Sequence, residues 1–510
     1  MVLNPEREAL MLAHIKISKN AQFLKDEPAI IVDGNPISYE MLDGAVVNAA
    51  KWLVETGVKP TMVVALSLSD AVLQLYLTLA LLRLGAIQAT IDPRLRSSTS
   101  SELASKLGIQ FMIGDAQPTQ TGRFSTLIAP GRHMLERMPK SESVILNSNE
   151  NGVAFLCHGS GTTGAPKIFA LRHRQLLARC TNIADEFSLS PGERSLILQR
   201  HTTPTYLTRA MQSMYYGGCL IEVTHMRNGT GKYFELLCTT MDEQRVDHLH
   251  CTAFHAKSIV SKIKLSGGKV RFQHLKTFLV GASHVSRALR EHVIERVTPN
   301  LCINYGTNEA GNISRASPSF LTNHFDSVGR ISPDAEISII GTQGERLGRG
   351  QEGIIMVRGQ SVVDCYEGDV VASKAAFRDG WFNTGDMGYL SEDGALYVLG
   401  RSDDMMIIDG TNVHPTEIEK VIDAIDEVKE SAVVGVYSDL GLDMIGAFVV
   451  LTRQCTESYI IAACRRQLGW KSPHQVFFVD SLPRNFAGKI LRKELAQRLA
   501  IDPPDVGWWP

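Results

Sequence analysis

The chain has 510 residues, of which 44% are hydrophobic and 21% are charged, and this composition is that of ordinary globular domains, with room for roughly three of them. The formal net charge of -2 gives no overall basic field, which excludes a nucleic-acid partner and favours small molecules. The nine cysteines are scattered singly, a pattern that indicates reduced thiols in a cytoplasm.

The first predicted elements alternate between strand and helix. Residues 62–68 form a β-rich run, Asp70 offers a helix N-cap, and an apolar helix follows as far as Gly85. That apolar stretch is too short to span a bilayer, so we expect no integral membrane segment. A further strand is predicted at 87–91, and the alternation returns in residues 151–310. The pattern predicts α/β sheet layers with helices on their faces.

The pattern changes in the last third of the chain. From about residue 320 to 400, short apolar runs are separated by Gly and Asp turns, which predicts a β-rich subdomain. Past residue 404 the order becomes helix, strand, strand, helix, strand, helix, as in a compact α+β domain of about 100 residues. We therefore predict a large N-terminal domain over residues 1–402, which includes the β-rich part, and a small C-terminal domain over residues 403–510.

A loop rich in glycine and hydroxyl groups carries the strongest local signal. It follows the predicted strand 153–157 and precedes a predicted helix that starts near His173. Its glycines permit close backbone approach, while its hydroxyls, N–H groups and lysine can bind phosphate oxygens. The loop predicts a polyphosphate site, although it lacks the Gly-Lys-Ser/Thr ending of a P-loop and its composition also occurs in flexible surface loops. Its residues are Ser160, Gly161, Thr162, Thr163, Gly164, Ala165, Pro166 and Lys167.

Several segments occur together in an order that resembles the adenylate-forming (AMP-binding) superfamily, which includes acyl-CoA synthetases, nonribosomal-peptide adenylation domains and beetle luciferases. The chain is most similar to the acyl- and aryl-CoA synthetases among them. The resemblance covers roughly residues 25–500 and implies that MgATP activates a carboxylic acid as an acyl-adenylate. The matching segments are 160–167 (SGTTGAPK), 305–309 (YGTNE), 381–386 (WFNTGD), 400–404 (GRSDD), 410–419 (GTNVHPTEIE) and 483–490 (PRNFAGKI).

The resemblance places the nucleotide around the end of a predicted strand. Tyr305 would form a flat wall for the adenine, and Glu309 with Thr162 would bind Mg²⁺. Glu309 and Lys167 are the catalytic groups expected here. Asn308 stands where the family has Thr, and its amide can still donate to the α-phosphate. The other expected nucleotide contacts are Gly281, Ala282 and Ser283 beside the adenine, and Asn304, Gly306 and Thr307 near Tyr305.

Three later segments complete the implied site. Asp386 would accept hydrogen bonds from the ribose hydroxyls, with Arg401 near the ribose and phosphates. The catalytic Lys489 would bridge the carboxylate, ribose and α-phosphate oxygens during adenylation, which is charge stabilisation rather than proton transfer. Asp403 would be the hinge about which the small domain rotates, so that the loop at Gly410 faces the thiol acceptor.

The pocket for the acid is expected between the phosphate loop and Tyr305. His201 occupies the place where acyl- and aryl-CoA synthetases often carry a gating His or aromatic residue, and Gly306 is expected beside the acid. Amino-acid-activating members carry an aspartate just behind that point, whereas residues 202–206 (TTPTY) contain no carboxylate. An α-amino acid is therefore disfavoured, because a buried ammonium without a partner is costly.

The implied function is that of a free-standing acid:CoA ligase that uses ATP, Mg²⁺ and coenzyme A. The sequence leaves open an enzyme that loads the phosphopantetheine of a carrier protein or forms an amide with an amine. It also leaves open a nucleotide-sensing protein without activity, because Asn308 and Ile168 depart from the family pattern. The identity of the acid and the oligomeric state, a homodimer included, are not fixed by the sequence.

Overall fold

The computed structural model describes residues 12–93, 97–115, 124–137, 149–158, 167–182, 187, 189–223, 233–263, 271–408, 411–437, 443–484 and 489–501. Up to residue 223, helices and strands alternate. In chain order these elements are α1 (Ala13–Phe23), β1 (Pro28–Val32), β2 (Asn35–Ser38), α2 (Tyr39–Glu55), β3 (Val63–Ser67), α3 (Ala71–Leu84), β4 (Ile87–Thr90), α4 (Ser97–Leu107), β5 (Phe111–Gly114), β6 (Ser125–Ile128), α5 (Arg132–Arg137), β7 (Val153–His158), β8 (Ile168–Arg172), α6 (His173–Thr181), β9 (Arg194–Ile197), α7 (Pro204–Tyr215) and β10 (Cys219–Glu222).

Six of these strands form one sheet, in the order β6-β5-β3-β4-β7-β8. All neighbours are parallel except β7 and β8, which are antiparallel. Helix α3 begins and ends as the sequence predicts. The Asp70 side chain accepts hydrogen bonds from the N–H groups of Val72 and Leu73, and Gly85 ends the helix in the left-handed region at φ 68°.

The chain continues into a second sheet of nine described strands. Its order is β15-β14-β13-β12-β11-β9-β10-β1-β2, so β1 and β2 join strands that come much later in the chain. Each strand is parallel to its neighbour in the central run β13-β12-β11-β9-β10-β1. The elements from this part are α8 (Tyr233–Glu243), β11 (His248–Thr252), α9 (Ala253–Lys262), β12 (Thr277–Gly281), α10 (Arg287–His292), β13 (Leu301–Thr307), β14 (Gly311–Ala316), α11 (Pro318–Asn323) and β15 (Arg330–Ile331).

One hydrophobic cluster joins both sheets through helices α2 and α3. Every residue of α3 is buried, and the same cluster contains Ile30 from β1 and Val64 from β3. Two polar side chains of α3 have partners inside it: the Gln74 amide donates to the carbonyl of His201, and Arg83 forms an ion pair with Asp43. A helix that is apolar on all sides is stable only in this kind of central position.

The β-rich part packs beside the end of the nine-stranded sheet. Strands β16, β17, β19 and β18 lie in that order, and β20 also pairs with β19. These elements are β16 (Ala335–Ile340), β17 (Gly353–Gly359), α12 (Val370–Ala376), β18 (Phe377–Arg378), β19 (Trp381–Leu390) and β20 (Leu396–Arg401).

The C-terminal part has a hydrophobic core of its own, built around a three-stranded sheet of order β23-β24-β25. It contacts the larger domain where the Thr416 hydroxyl donates to the Leu399 carbonyl, and where Lys257 Nζ lies 3.9 Å from Asp423 Oδ2. Its elements are β21 (Met406–Ile408), β22 (Thr411–Val413), α13 (Pro415–Asp423), β23 (Val428–Tyr437), β24 (Asp443–Leu451), α14 (Glu457–Leu468), β25 (Gln475–Phe478) and α15 (Arg492–Ile501).

The predicted fold class is confirmed, but one local prediction was wrong and one element was missed. The segment after the phosphate loop enters strand β8 before helix α6, so the loop connects two antiparallel strands rather than a strand and a helix. The hairpin of β21 and β22 was not predicted. Asp386 lies inside strand β19, where it pairs with Arg401 of β20. In the described part of the chain, no helix has both the length and the apolar character needed to cross a membrane.

Candidate active site

A cavity of about 1050 Å³ lies between the large domain, the β-rich part and the C-terminal part. It opens where the parallel strands β11, β12 and β13 end, at the edge of the sheet where ligands bind in open α/β folds. Fourteen of the predicted site residues line it together: Lys167, Gly281, Ala282, Ser283, Asn304, Tyr305, Gly306, Thr307, Asn308, Glu309, Asp386, Arg401, Asp403 and Lys489.

Five predicted site residues of the phosphate loop and one of the acceptor loop lie outside the described residues. They are Ser160, Gly161, Thr162, Thr163, Gly164 and Gly410.

Glycines allow the strand ends to approach each other at the cavity wall. A Cβ atom on Gly306 would lie 2.2 Å from the carbonyl oxygen of Gly311, and one on Gly281 would lie 3.0 Å from the carbonyl oxygen of Asn304. Ala282 follows in the left-handed region, at φ 66°. The close approach at Gly306 leaves no room for a side chain.

We expect Gly306→Ala to destabilise the protein, because its methyl group would displace the backbone of Gly311. Overpacking of this kind costs about 1–3 kcal/mol, which corresponds to a fall of roughly 1–4 °C in the unfolding midpoint of a domain of about 400 residues. Thermal unfolding followed by circular dichroism measures it. The control is Gly131→Ala, since a Cβ atom at that position would have no atom within 4 Å of it. Equal midpoints for the two variants would contradict the packing described.

Tyr305, Asp386 and Arg401 form a connected group at one end of the cavity. The Tyr305 hydroxyl donates to Asp386 Oδ2 at 2.7 Å, and Arg401 Nη1 lies 3.4 Å from Asp386 Oδ1. Arg401 also donates to the Thr384 carbonyl at 2.7 Å and to Asp403 Oδ1 at 2.9 Å. The group fixes the positions of an aromatic ring and a carboxylate that both line the cavity.

Burial controls the ionisation of this group. It raises the pKa of the Asp386 carboxyl, while the Arg401 guanidinium opposes that shift. Burial also lowers the pKa of the Lys489 ammonium; Arg401 lowers it further, whereas the carboxylates of Asp404, Asp386 and Asp403 oppose the change. Lys489, from the C-terminal part, therefore lies within the electrostatic field of Asp386, from the β-rich part.

Glu309, Tyr366 and Lys167 form a second group. The Tyr366 hydroxyl donates to Glu309 Oε1 at 3.0 Å, and Lys167 Nζ lies 5.0 Å from the centroid of the Tyr366 ring. The buried Arg179 supports the backbone below by donating to the carbonyls of Glu309 and Ser361. A carboxylate and a cation are thus held close together on the wall of the cavity.

A third section of the wall is built by helix α7 and strand β11. Thr202, Thr208, Arg209 and His250 line the cavity there. His201 does not: its ring is buried, and Nε2–H donates to the carbonyl of Leu68 at 2.8 Å. The structure therefore gives His201 a role in anchoring the start of α7, and its neighbours contact the cavity in its place.

Sequence reasoning missed three residues of the site: Tyr366, Arg179 and Arg209. Tyr366 and Arg179 lie outside the matched motifs and reach Glu309 only through tertiary packing. A signal for Arg209 existed, because α7 carries this arginine next to Tyr206, Leu207 and Ala210, which are all buried. A charge beside apolar positions of an amphipathic helix indicates a functional or paired group.

The fold and the residues that line its cavity together define a ligase of the adenylate-forming class. The chain belongs to the AMP-binding enzyme family: the model of that family matches residues 17–367, and the model of the AMP-binding enzyme C-terminal domain matches residues 417–489. The predicted superfamily and the predicted enzyme class are thereby confirmed.

Individual relatives agree with this assignment. The 2-succinylbenzoate–CoA ligase of Geobacillus kaustophilus is 30% identical over an alignment of 496 residues. The alignment covers 94% of this chain and 96% of that protein. The solved O-succinylbenzoate coenzyme A synthetase of Bacillus subtilis in complex with AMP has a TM-score of 0.83 at 23% identity, over 94% of this chain and 97% of that one. The amide bond synthetase McbA of Marinactinospora thermotolerans has a TM-score of 0.81 at 21% identity, over 95% and 99% of the chains. The last two likenesses concern the fold alone.

Proposed function

We propose that the protein activates a carboxylic acid with MgATP and transfers the acyl group to the thiol of coenzyme A. The observation that carries the proposal is the convergence of Glu309, Asp386 and Lys489, from three distant segments, on one cavity. A carboxylate for a metal, a carboxylate for a ribose and a lysine for the reacting oxygens are the groups that adenylation needs.

The reaction has two balanced steps. In the first, a carboxylate oxygen of the acid attacks the α-phosphorus of ATP. The bond between this phosphorus and the oxygen that bridges to the β-phosphate breaks, and pyrophosphate leaves with the electron pair of that bond. In the second, the thiol sulfur attacks the acyl carbon, AMP leaves as its anion, and the thiol proton passes to solvent. Both steps build up charge on oxygen atoms, so fixed positive groups accelerate them.

The nucleotide is proposed to bind against strands β12, β13 and β19. Tyr305 covers one face of the adenine, with residues 281–283 beside it, and the free lone pairs of Asp386 accept from the ribose hydroxyls. Residues 304–308 surround the phosphates. Support comes from the hydrogen bond between Tyr305 and Asp386, which fixes the ring and the carboxylate relative to each other.

The residues present fit a magnesium ion that arrives with the nucleotide. Within the described ranges, no cluster of three or more His, Cys, Asp or Glu side chains could hold a metal by itself. One carboxylate, Glu309, lines the cavity beside Lys167, and the second predicted ligand, Thr162, lies outside the described residues. Mg²⁺ in nucleotide sites commonly takes one or two carboxylates, phosphate oxygens and waters. The ion would supply positive charge to the phosphate oxygens.

Lys489 is proposed to stabilise the charge of the adenylation step and to withdraw before the thiol arrives. Its position beside Asp386 and Arg401 brings the C-terminal part against the nucleotide end of the cavity. Asp403, which accepts from Arg401, lies directly before the C-terminal part and is the proposed hinge. Rotation there would bring the loop at Gly410 towards the acceptor.

Acceptor chemistry is tested by incubating the protein with MgATP, a panel of acids, and coenzyme A, a phosphopantetheinylated carrier protein or a simple amine. We expect pyrophosphate release with a subset of acids and a thioester with coenzyme A. Acyl transfer only to the carrier or the amine would overturn the choice of acceptor and leave the adenylation step intact. Absence of pyrophosphate release with every acid would overturn the function itself.

We expect Glu309→Gln to raise the Mg²⁺ concentration needed for half-maximal pyrophosphate release by about 10-fold, the effect of losing one charge-assisted contact. The amide oxygen can still accept from Tyr366, so the local structure is retained. A magnesium titration at fixed ATP measures the change. Glu392→Gln, on an exposed turn, is the matched control. An unchanged magnesium requirement in Glu309→Gln would remove this residue from the metal site.

A further inference from the structure

Arg209 is a cation in the cavity wall, and none of the carboxylates that the structure describes pairs with it. In helix α7, its Nη1 donates to Gln212 Oε1 at 2.9 Å and its Nη2 to Asn304 Oδ1 at 3.0 Å. Both acceptors are neutral amides. Across the described residues, no carboxylate lies within ion-pair distance of this guanidinium. Another arginine of the same wall, Arg200, differs in this respect, because it pairs with Asp92 Oδ2 at 2.9 Å.

The surroundings of Arg209 raise its need for an anion. Burial lowers the pKa of its guanidinium to about 9, and the positive charge of Arg315 acts in the same direction. The group is thus still charged at neutral pH. Arg315 itself is buried and stacks over the Phe187 ring at 4.7 Å. Arg209 is half-buried, and a desolvated charge without a counter-charge is destabilising, so a ligand that supplies one would stabilise the site.

Several polar groups line the cavity in the same section of the wall as Arg209. His250 is buried and lines the cavity, and its Nδ1 atom has no hydrogen-bond partner within the described structure. Burial holds the pKa of His250 well below its usual value, and Arg209 lowers it further, so the ring is neutral. The hydroxyl residues Thr202 and Thr208 lie on the same wall. These groups suit a polar anionic end of a ligand better than an alkyl chain.

From this geometry we infer that Arg209 binds a second anionic group of the acid, so that the substrate is a dicarboxylic acid of which one carboxylate is adenylated and the other accepts from Arg209. The inference rests on the proposed function, and it specifies the substrate class of the same site. Asn304 links the two ends, because it accepts from Arg209 and directly precedes Tyr305. Arg209 is thus a specificity-determining residue.

The test compares acids that differ by one carboxylate. Suitable pairs are 2-succinylbenzoate with 4-oxo-4-phenylbutanoate, and adipate with hexanoate. ATP-dependent acyl-hydroxamate formation gives kcat/KM for each acid. In the unaltered protein we expect at least one diacid to exceed its monoacid partner by roughly 10–100-fold, the range for a charge-assisted contact. In Arg209→Gln this ratio should fall towards one, mainly through a higher KM for the diacid, and Arg209→Lys should recover part of it.

Arg271→Gln is the matched control, since its charge is neutralised by Asp242 and it lies outside the cavity lining; the diacid preference should persist there. Monoacids that match or exceed their diacid partners in the unaltered protein would overturn the inference. An equal loss for both acids of a pair in Arg209→Gln would also overturn it, because Arg209 would then only position Asn304.

Failure of the proposed function has a different signature. If no acid yields a hydroxamate, the adenylation proposal falls, and the anion site is judged by calorimetric titration of each acid in the presence of AMP. Diacid binding that is lost in Arg209→Gln supports the site without any chemistry. Diacid binding that is absent, or unaffected by the substitution, overturns it.

Discussion

Replacing Lys489 with alanine should lower adenylation by about 10²–10³-fold, the usual cost of removing one group that stabilises charge in the transition state. The rate of thioester formation from supplied acyl-adenylate should change by no more than a few-fold, since the lysine is proposed to act in the first step only. Pyrophosphate release and thioester formation are measured separately.

The neighbouring Lys493→Ala is the control for the Lys489 experiment. Lys493 lies on helix α15 with its side chain exposed, away from the cavity lining. Both half-reactions should proceed at normal rates in that variant. Equal losses in the two half-reactions of Lys489→Ala would contradict the proposal that the C-terminal part acts in two positions.

Replacing Asp386 with asparagine should weaken ATP binding by about 10–100-fold, because one charged acceptor is lost while the volume is retained. The Tyr305 hydroxyl can still donate to the amide oxygen, but Arg401 and Lys489 then lose a nearby negative charge. Calorimetric titration with ATP measures the affinity. The KM for the acid should change much less than the affinity for the nucleotide.

Asp393→Asn is the control for the Asp386 experiment. Asp393 accepts from the Ser391 hydroxyl in an exposed turn of the same β-rich part, outside the cavity lining. Its substitution should leave nucleotide affinity unchanged. ATP affinity within twofold of the unaltered protein in Asp386→Asn would exclude the proposed ribose contact.

The elements that the sequence predicted well are those whose local chemistry is sufficient. Asp70 and Gly85 marked both ends of α3, and the structure places the helix between them. The residues of the matched motifs also converge on one cavity, as the resemblance implied. In both cases the information lies within a few neighbouring residues.

The parts that failed depend on distant contacts. Strand β8 forms because it pairs with β7. The loop between the two strands separates them in sequence, so the local pattern of residues did not indicate this pairing. The spacing of His201 placed it near the cavity, but spacing does not determine which way a side chain points, and the Leu68 carbonyl holds this ring away from the cavity. Arg209 becomes informative only when the structure shows that no carboxylate of the described residues pairs with it.

The order of strands in the larger sheet also constrains how the chain folds as it is synthesised. Ile30 of β1 pairs with Leu220 of β10, so the partner of an early strand is made 190 residues later. At typical synthesis rates this delay is roughly 10–40 s. Helix α3 is buried along its whole length in a cluster to which both sheets contribute, and its Gln74 amide has no acceptor until His201 has been synthesised, 127 residues later.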